Sequence, residues 1–148
     1  MTLIVKNPKI WGPDLWNILH FLTFVYNSKE DREIYKELFL RCVPILIPCP
    51  PCRRHYLNRL IRISINLDSR EKLSRWLVNL HNDVNKSLKK EHFSYEKALK
   101  IYRPNKTNKE NVKKAFVRYS NISRGYISTS SEVQKANSKL VRILMKHI

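Results

Sequence analysis

Apolar residues recur every three or four positions through most of this chain, which is the spacing of amphipathic α-helices. The longest such stretch covers about residues 69–88, and shorter ones cover about residues 12–26, 29–43, 49–61 and 95–102. The apolar stripe of the longest stretch consists of Leu73, Leu77, Leu80, Val84 and Leu88. Residues 62–68 alternate apolar with polar, but with no second strand to pair with they are predicted to be an extended connection. The pattern therefore predicts an all-α fold.

Capping residues and prolines mark the predicted helix ends. Residues 1–10 are predicted to be an extended lead-in, with Pro13 at the first position of the first helix. The residues with N-capping side chains are Ser28, Ser69 and Ser94. Three prolines are predicted stops: Pro44 or Pro48 for the second helix, and Pro104 for the helix over 95–102.

The composition changes after residue 103. Residues 104–148 hold ten Lys and Arg against two acidic residues, which leaves +8 of the formal charge. A short helix over 112–119, a Ser/Thr-rich stretch over 126–131 and an amphipathic final helix are predicted there. The chain is therefore interpreted as a domain over 8–103 with a basic, helical C-terminal extension over 104–148, an appendage on a core of roughly 100 residues.

Composition narrows the function classes. With 148 residues, 43% of them apolar, the chain is long enough for one globular domain with a core. Its only two glycines, Gly12 and Gly125, argue against a Gly-rich phosphate loop. A formal charge of +17 favours nucleic acid, an anionic membrane or an acidic partner, although a Lys/Asn/Ile-rich composition gives the same charge without any such role. No signal peptide and no run of about 18 apolar residues is visible, so a soluble protein made in the cytosol is expected.

The segment Cys49-Pro-Pro-Cys52 is the strongest chemical motif. Pro50 suits the first position of a helix, so Cys49 would cap that helix and feel the positive end of its dipole. Arg53 and Arg54 add positive charge within one turn, which also favours a thiolate. The pair can close a redox disulfide or supply two ligands to a metal, and in a cytosolic protein either is more common than a structural disulfide.

Two predicted helices each carry a histidine beside other groups that suit a flat ligand. His20 lies one turn after Trp16, and His81 shares a face with Asn85. Aromatic and imidazole rings can stack on a heteroaromatic ligand, and amides can read its ring nitrogens and carbonyls. Lys86, Lys89 and Lys90 follow where they could meet phosphates. Each residue taken singly is more often a core or solvated residue, so only their co-occurrence with the cysteine pair gives the motif weight.

Together these motifs resemble the Erv/ALR family of FAD-linked sulfhydryl oxidases. The resemblance rests on three motifs in this order: Gly12-x-x-x-Trp16-x-x-x-His20, Cys49-x-x-Cys52 and His81-Asn82-x-Val84-Asn85. The segments 7–13 and 49–55 are similar to the small forms carried by large cytoplasmic DNA viruses. The resemblance implies a four-helix bundle with a short fifth helix, usually dimeric, that holds FAD. It also implies a location at cytoplasmic viral assembly sites of an infected host cell, or in the virion.

The resemblance assigns roles residue by residue. Cys49 would exchange with incoming thiols, Cys52 would lie nearer the flavin, and electrons would pass to FAD and then to oxygen, which gives hydrogen peroxide. Lys86 and Lys90 would lie near the FAD phosphates. The full set of cofactor-binding positions that it implies is Gly12, Trp16, His20, Tyr26, His55, His81, Asn82, Val84, Asn85, Lys86, Leu88, Lys90 and Tyr102.

The chain departs from the family pattern at three places. Pro13 stands where many members have arginine, and no cysteine follows Cys52 to clamp the short fifth helix, which packing alone would hold. A second Cys-x-x-Cys that could shuttle electrons is also missing from this sequence, so a separate small thiol carrier protein is the expected electron donor. The remaining cysteine, Cys42, lies on an apolar helix face and is expected to be buried and inert.

Two alternatives stay open at the level of sequence. Cys49 and Cys52 could be structural zinc ligands, with His55 or His81 completing the set. The basic segment 104–148 could bind nucleic acid or an acidic partner. Its interleaved aromatic residues, which would stack on bases, are Phe116, Tyr119 and Tyr126.

Overall fold

The computed structural model describes residues 7–148, and within that range all regular secondary structure is helical. The elements are α1 (Pro8–Phe24), α2 (Arg32–Glu37), a π-helical turn (Leu38–Cys42), α3 (Val43–Leu46), α4 (Pro50–Arg62), α5 (Arg70–Ser87), α6 (Tyr95–Tyr102), α7 (Lys106–Ile127) and α8 (Ser131–Met145). The all-α prediction is confirmed. None of the described helices is long and apolar enough to span a membrane.

Three helices begin where their capping residues predict. Cys49, Ser69 and Ser94 are the N-caps of α4, α5 and α6. In each case the side chain accepts a hydrogen bond from the N–H three residues later, which satisfies one of the free donors of the first turn. The connection between α4 and α5 is extended, as its alternating pattern predicts.

The predicted start of the first helix is wrong. α1 begins at Pro8, with Asn7 as the N-cap whose Oδ1 accepts from the Lys9 N–H at 3.0 Å. Pro13, predicted at the first helical position, lies inside the helix instead. A proline there removes one hydrogen bond near the helix start, where few bonds have yet formed. The rest of the predicted lead-in, residues 1–6, lies outside the described residues.

The predicted start of the second helix is wrong, and of its two predicted stops Pro48 is right and Pro44 is not. Ser28 is not a cap, because α2 begins at Arg32 after Asp31. Pro44 does not end the helix, because the preceding π-helical turn changes the hydrogen-bond register before it. In a π-helix the carbonyl of residue 39 would accept from the N–H of residue 44, but residue 44 is a proline and has no N–H. The Phe39 carbonyl accepts from the Tyr56 hydroxyl instead, at 2.6 Å.

The C-terminal segment shares its core with the rest of the chain. α7 packs against α1 more extensively than any other pair of described helices pack together. An ion pair between Arg118 of α7 and the buried carboxylate of Asp14 in α1, at 3.0 Å, joins the same two helices. The buried residues of α7 and α8 include Val112, Ala115, Tyr119, Tyr126, Ala136, Leu140 and Leu144. The segment is helical as predicted but is not an appendage, and the boundary between residues 103 and 104 stays a prediction.

Two antiparallel pairings decide which helix ends meet. Near the start of α5, Arg70 donates to the Tyr26 carbonyl just beyond the end of α1, while His81 further along α5 contacts His20. α1 and α5 therefore run antiparallel, and the start of α1 lies at the same end of the bundle as the end of α5.

α4 and α5 are antiparallel as well. Arg59 binds Asp83 at 2.8 Å and Ser87 at 3.1 Å, whereas Ile63, just beyond the end of α4, accepts from Trp76 at 2.8 Å. The start of α4 therefore points toward the end of α5. As a result, the starts of α1 and α4 point toward the same end of the bundle as the end of α5.

Hydrogen bonds as well as packing hold the short helix α6. The Tyr95 hydroxyl bonds the Ser74 hydroxyl at 2.7 Å, and the Arg75 guanidinium lies 4.0 Å from the centre of the Tyr95 ring. At the other end of α6, the Tyr102 hydroxyl donates to Asn17 of α1. The prediction that packing alone would hold this helix is therefore wrong, because hydrogen bonds and a cation–π contact also attach α6 to α5 and α1.

Candidate functional site

A disulfide joins Cys49 and Cys52 at the start of α4, with Cα atoms 5.2 Å apart. Cys49 is the N-cap, and its sulfur accepts from the Cys52 N–H at 3.3 Å. Both cysteines are half-buried, and the prolines between them are exposed. The pair therefore lies at the positive end of a helix within reach of solvent, where a thiolate would be stabilised after reduction.

The zinc alternative has no ligand set in the structure. Both sulfurs are taken up in the disulfide, so neither is a thiolate that could bind a metal. Across residues 7–148, no group of three or more His, Cys, Asp or Glu side chains lies close enough together to hold a metal ion. His55 is exposed, while His81 is engaged by His20.

Five rings from α1, α5, α6 and the α5–α6 loop form an aromatic cluster: Trp16, His20, His81, Phe93 and Tyr102. Trp16 stacks on His81 with ring centroids 3.9 Å apart and planes 2° apart. His20 stacks on Tyr102 at 4.9 Å and meets the edge of Phe93 at 5.5 Å. The structure therefore brings together the histidines of the two sequence motifs with Trp16 and Tyr102.

The two histidines of the aromatic cluster are bonded to each other, with His20 Nε2 and His81 Nδ1 2.8 Å apart. Burial lowers the pKa of both imidazoles, that of His81 to about 4, and Lys90 lowers the pKa of His81 further by charge repulsion. Both are therefore neutral at pH 7. Nδ1 of His20 is buried without a partner among the described residues, so one polar atom in the cluster is free for a ligand.

Asn82 and Asn85 hold the loop between α5 and α6. The Asn82 amide donates to the Phe93 carbonyl and accepts from the Phe93 N–H, both at 2.7 Å. The Asn85 side-chain amide donates to the Glu91 carbonyl at 3.3 Å, and the backbone carbonyl of Asn85 accepts from the Lys90 N–H at 2.8 Å. Both side chains thus fix the loop that carries Phe93, and their direct contact with a cofactor stays a prediction.

A basic cleft of about 620 Å³ lies beside the aromatic cluster, at the end of α5. Its lining residues are Ile63, Asn79, Asn82, Asp83, Lys86, Lys89, Lys90 and His92. The three lysines outnumber the single carboxylate, and Arg59 and Arg62 already neutralise that carboxylate, Asp83, at 2.8 and 2.9 Å. These bonds lower the pKa of Asp83. The cleft is therefore suited to a phosphate-bearing ligand.

Five further positions were predicted to bind the cofactor, and the structure places only some of them near the aromatic cluster or the basic cleft. Gly12 is buried at the start of α1, and a Cβ added there would meet no atom of residues 7–148 within 4 Å outside the backbone of its own helix. Val84 is half-buried, and Leu88 is 57% exposed at the cleft end of α5. The structure does not bring the other two into the aromatic cluster: Tyr26 contacts Tyr35 and donates to the Leu67 carbonyl, and His55 is exposed on α4.

The sequence motifs missed Phe93 and Asn17. Phe93 lies in a loop, where no helical periodicity marks it, and the Asn82 amide brings it against both histidines. Asn17 accepts the Tyr102 hydroxyl and thereby fixes that ring in the aromatic cluster. Its position next to Trp16 is the only signal in the sequence that could have pointed to it.

Comparison with known proteins agrees with this arrangement. The chain is 31% identical to an FAD-linked sulfhydryl oxidase of African swine fever virus over 95 residues, and the aligned region covers 62% of this chain and 79% of the viral protein. It is 29% identical over 102 residues to a putative FAD-linked sulfhydryl oxidase of Invertebrate iridescent virus 3, covering 66% of this chain and 68% of that one. The mitochondrial FAD-linked sulfhydryl oxidase of Saccharomyces cerevisiae is 30% identical over 84 residues, 55% of this chain and 44% of the yeast protein. No solved structure is significantly similar to the chain. The model of the Erv1/Alr family matches residues 13–104, and the chain therefore belongs to that family.

Proposed function

We propose that this chain is an FAD-linked sulfhydryl oxidase that forms disulfides in protein thiols through Cys49 and Cys52. The observation that carries the proposal is the half-buried Cys49–Cys52 disulfide at the start of α4, whose exposed prolines leave it within reach of a substrate thiol. The aromatic cluster, and the basic cleft near the ends of α4 and α5, supply the two kinds of surface that FAD needs. Family membership and the names of the relatives support the same reaction class.

The residues present fit FAD. The flavin and adenine rings of this cofactor need flat apolar surfaces, which the half-buried rings of Trp16 and His81 would offer on their outer faces. His20 and Tyr102 are 0% and 6% exposed and stack on each other, so they would support these two rings. Its two phosphates need cations, which Lys86 and Lys90 supply in the basic cleft. The Nδ1 atom of His20, which has no partner among the described residues, is an independent sign of unused bonding capacity. These residues would hold the cofactor, with His81 and Asn82 fixing the walls.

The chain's own part in the reaction is thiol–disulfide exchange. A substrate thiolate attacks the Cys49 sulfur, forms a mixed disulfide and releases the Cys52 thiolate. The second substrate thiol then attacks the mixed disulfide, so the substrate leaves as a disulfide and both enzyme cysteines are reduced. The start of α4 would stabilise the thiolates, and Arg53 and Arg54 place two further positive charges in the first turn of this helix. When bound, FAD would supply the acceptor for the two electrons and their transfer to oxygen, which gives hydrogen peroxide.

We propose a separate small thiol carrier protein as the electron donor. Within the 148 residues the only cysteine besides the redox pair is Cys42, which is buried and cannot reach a bulky substrate. Pro50 and Pro51 are exposed beside the disulfide, so a flexible peptide could approach it. A homodimer, as in the family resemblance, is part of the same proposal.

An absorbance spectrum tests this function. The purified protein is expected to show the flavin bands, to bleach when dithiothreitol is added without air, and to recover in air with release of peroxide. A Cys49→Ser protein should keep the flavin bands and lose bleaching by the dithiol. A purified, folded protein that bound no added FAD would contradict the proposal.

Nucleic-acid binding remains a second candidate through charge alone. Exposed cations along α7 include Lys106, Lys113, Lys114 and Arg124. The aromatic part of the hypothesis is wrong for Tyr119 and Tyr126, which are 1% and 8% exposed and cannot stack on a base, whereas Phe116 is half-buried. A steep fall of DNA affinity with salt that Lys113→Glu with Lys114→Glu reduces would support it.

A further inference from the structure

Tyr126 joins the C-terminal segment to the turn that carries the disulfide. Its hydroxyl donates to the Ile45 carbonyl of α3 and accepts from Nη2 of Arg53 at 2.9 Å. The same Nη2 donates to the Ile47 carbonyl at 3.2 Å. Tyr126 is 8% exposed, so this network lies largely out of bulk water, where lost hydrogen bonds are not easily replaced.

The Arg53 side chain spans the redox turn from one side to the other. Arg53 follows Cys52 directly, and its backbone N–H donates to the Cys49 carbonyl at 2.9 Å. Its guanidinium reaches back to Ile47, two residues before Cys49. Nε of Arg53 is buried without a partner in the described part of the chain, so the guanidinium is placed by the two bonds of Nη2.

We propose that Tyr126 is a positioning residue for the Cys49–Cys52 pair and acts through Arg53. Tyr126 lies outside the region 13–104 that matches the family, so the C-terminal segment contributes to the redox site. The proposal deepens the oxidase function proposed above and rests on it for its consequence in turnover.

The chemical effect follows from charge. Reduction of the disulfide leaves two sulfurs in the first turn of α4, and a fixed guanidinium beside this turn favours the thiolate. Without the Tyr126 hydroxyl, Nη2 keeps one of its two partners, and the guanidinium is free to turn toward water. We therefore expect the reduced pair to lose stabilisation, so that the disulfide becomes harder to reduce.

The test is the thiol–disulfide equilibrium of the full chain, with its bound FAD, in the Tyr126→Phe variant. Protein is equilibrated without oxygen in graded ratios of reduced to oxidised dithiothreitol, quenched with acid and alkylated. The oxidised fraction of the Cys49–Cys52 peptide is then read by mass spectrometry. We expect the equilibrium constant for reduction to fall about fivefold, less than the full value of a hydrogen bond to a charged group, because the bond is present in the oxidised state as well. That change corresponds to a potential about 20 mV lower.

Two further variants separate positioning from general stability. Tyr35→Phe removes a similar buried bond, from the Tyr35 hydroxyl to the Leu22 carbonyl at 2.9 Å, and should lower the melting temperature without changing the equilibrium. Arg53→Gln should shift the equilibrium in the same direction as Tyr126→Phe, and adding Tyr126→Phe to it should shift it no further. Flavin absorbance and peroxide production, recorded on the same samples, report the oxidase function separately.

The proposal is overturned by a wild-type equilibrium in Tyr126→Phe, by an equal shift in Tyr35→Phe, or by an undiminished effect of Tyr126→Phe in the Arg53→Gln background. Should Tyr126→Phe fail to fold, Arg53→Gln alone decides. A wild-type equilibrium in that variant overturns the proposal, and a lowered one supports it.

Discussion

Trp16 of α1 lies flat on His81 of α5, with ring centroids 3.9 Å apart. His81 is in turn bonded to His20, which lies one helical turn after Trp16. The contact therefore links two sequence motifs that are separated by 61 residues. It also keeps both imidazoles out of water, where their charged forms are disfavoured.

This histidine pair should make stability depend on pH. An unfolded histidine titrates near pH 6.5, whereas burial and Lys90 lower the pKa of folded His81 to about 4. Between these values the unfolded state binds more protons, so the free energy of unfolding falls as pH drops from about 6.5 to about 4. His81 alone accounts for up to about 3 kcal/mol, since a tenfold change in acid dissociation is worth about 1.4 kcal/mol. Urea unfolding at pH 7.5, 6 and 5 measures this loss.

Variants assign the pH dependence to the pair. His81→Gln should be less stable at pH 7.5 but lose less on acidification than the wild type. His92→Gln changes an exposed histidine of the basic cleft and should keep the wild-type slope. An equal slope in His81→Gln and wild type would show that other groups cause it.

Asn82→Ala should release the loop that carries Phe93. The variant loses both hydrogen bonds between the Asn82 side chain and the Phe93 backbone, and we expect the free energy of unfolding to fall by about 2 kcal/mol. FAD retention should fall as well, because Phe93 no longer closes the aromatic cluster. Asn79→Ala, one turn earlier on the same helix and exposed, is the matched control for stability only, because Asn79 also lines the basic cleft. Urea unfolding and the flavin content after gel filtration measure both effects, and equal stability of the two variants would refute the clamp.

The sequence predicted the helices whose ends carry strong local signals. Ser69, Ser94 and Cys49 each satisfy an N–H of the first turn, so their positions mark the starts of α5, α6 and α4 directly. The second helical segment ends before Pro48, one of its two predicted stops, because Pro44 stops a regular helix but not one with a π-helical turn before it. That turn is held by the Tyr56 hydroxyl, a contact that local sequence cannot show.

The sequence motifs predicted the central residues of the site but not the residues that surround and position them. Trp16, His20 and His81 stand in a recognisable pattern, and the structure brings them together. Phe93 and the Arg53–Tyr126 bond depend on tertiary contacts with no fixed spacing along the chain. The burial of Tyr126 was missed for a related reason, because the basic residues around it suggested a solvated segment.

Substitution of the redox pair Cys49 and Cys52 should abolish activity, whereas substitution of the buried Cys42 should not. Cys49→Ser and Cys52→Ser should each abolish dithiol oxidation, because neither leaves a disulfide to exchange, while FAD stays bound. Cys42 is buried, and burial raises the pKa of its thiol, so it is a poor nucleophile. Cys42→Ser should therefore keep turnover and lose about 1 kcal/mol of stability from a hydroxyl placed in an apolar site. Loss of turnover in Cys42→Ser with FAD still bound would show that Cys42 takes part.

Lys89→Gly should stabilise the protein. Lys89, just after the end of α5, has a φ of 58°, which is costly for a residue with a Cβ. Relief of that cost exceeds the extra freedom that glycine gives the unfolded chain, and we expect a gain of about 0.5 kcal/mol. Lys90→Gly next to it removes the same charge and should destabilise, because the backbone at Lys90 does not have a positive φ. Thermal melts of the two variants decide, and a lower melting temperature in Lys89→Gly than in Lys90→Gly would contradict the argument.

Deleting residues 104–148 should unfold the protein instead of trimming a tail. The deletion removes α7 and α8 and uncovers the face of α1 that packs against α7. Among the buried side chains lost are Val112, Tyr119, Leu140 and Leu144. Each contributes roughly 1.5–3 kcal/mol when buried, so together they match the 5–15 kcal/mol that holds a typical domain folded.

Circular dichroism of the 1–103 fragment should show no cooperative melt, whereas the full chain with Lys113→Glu and Lys114→Glu should melt like the wild type. A fragment that melted cooperatively and bound FAD would establish 8–103 as an independent domain. If the fragment unfolds, charge reversal on the intact chain becomes the sound way to test nucleic-acid binding by this segment.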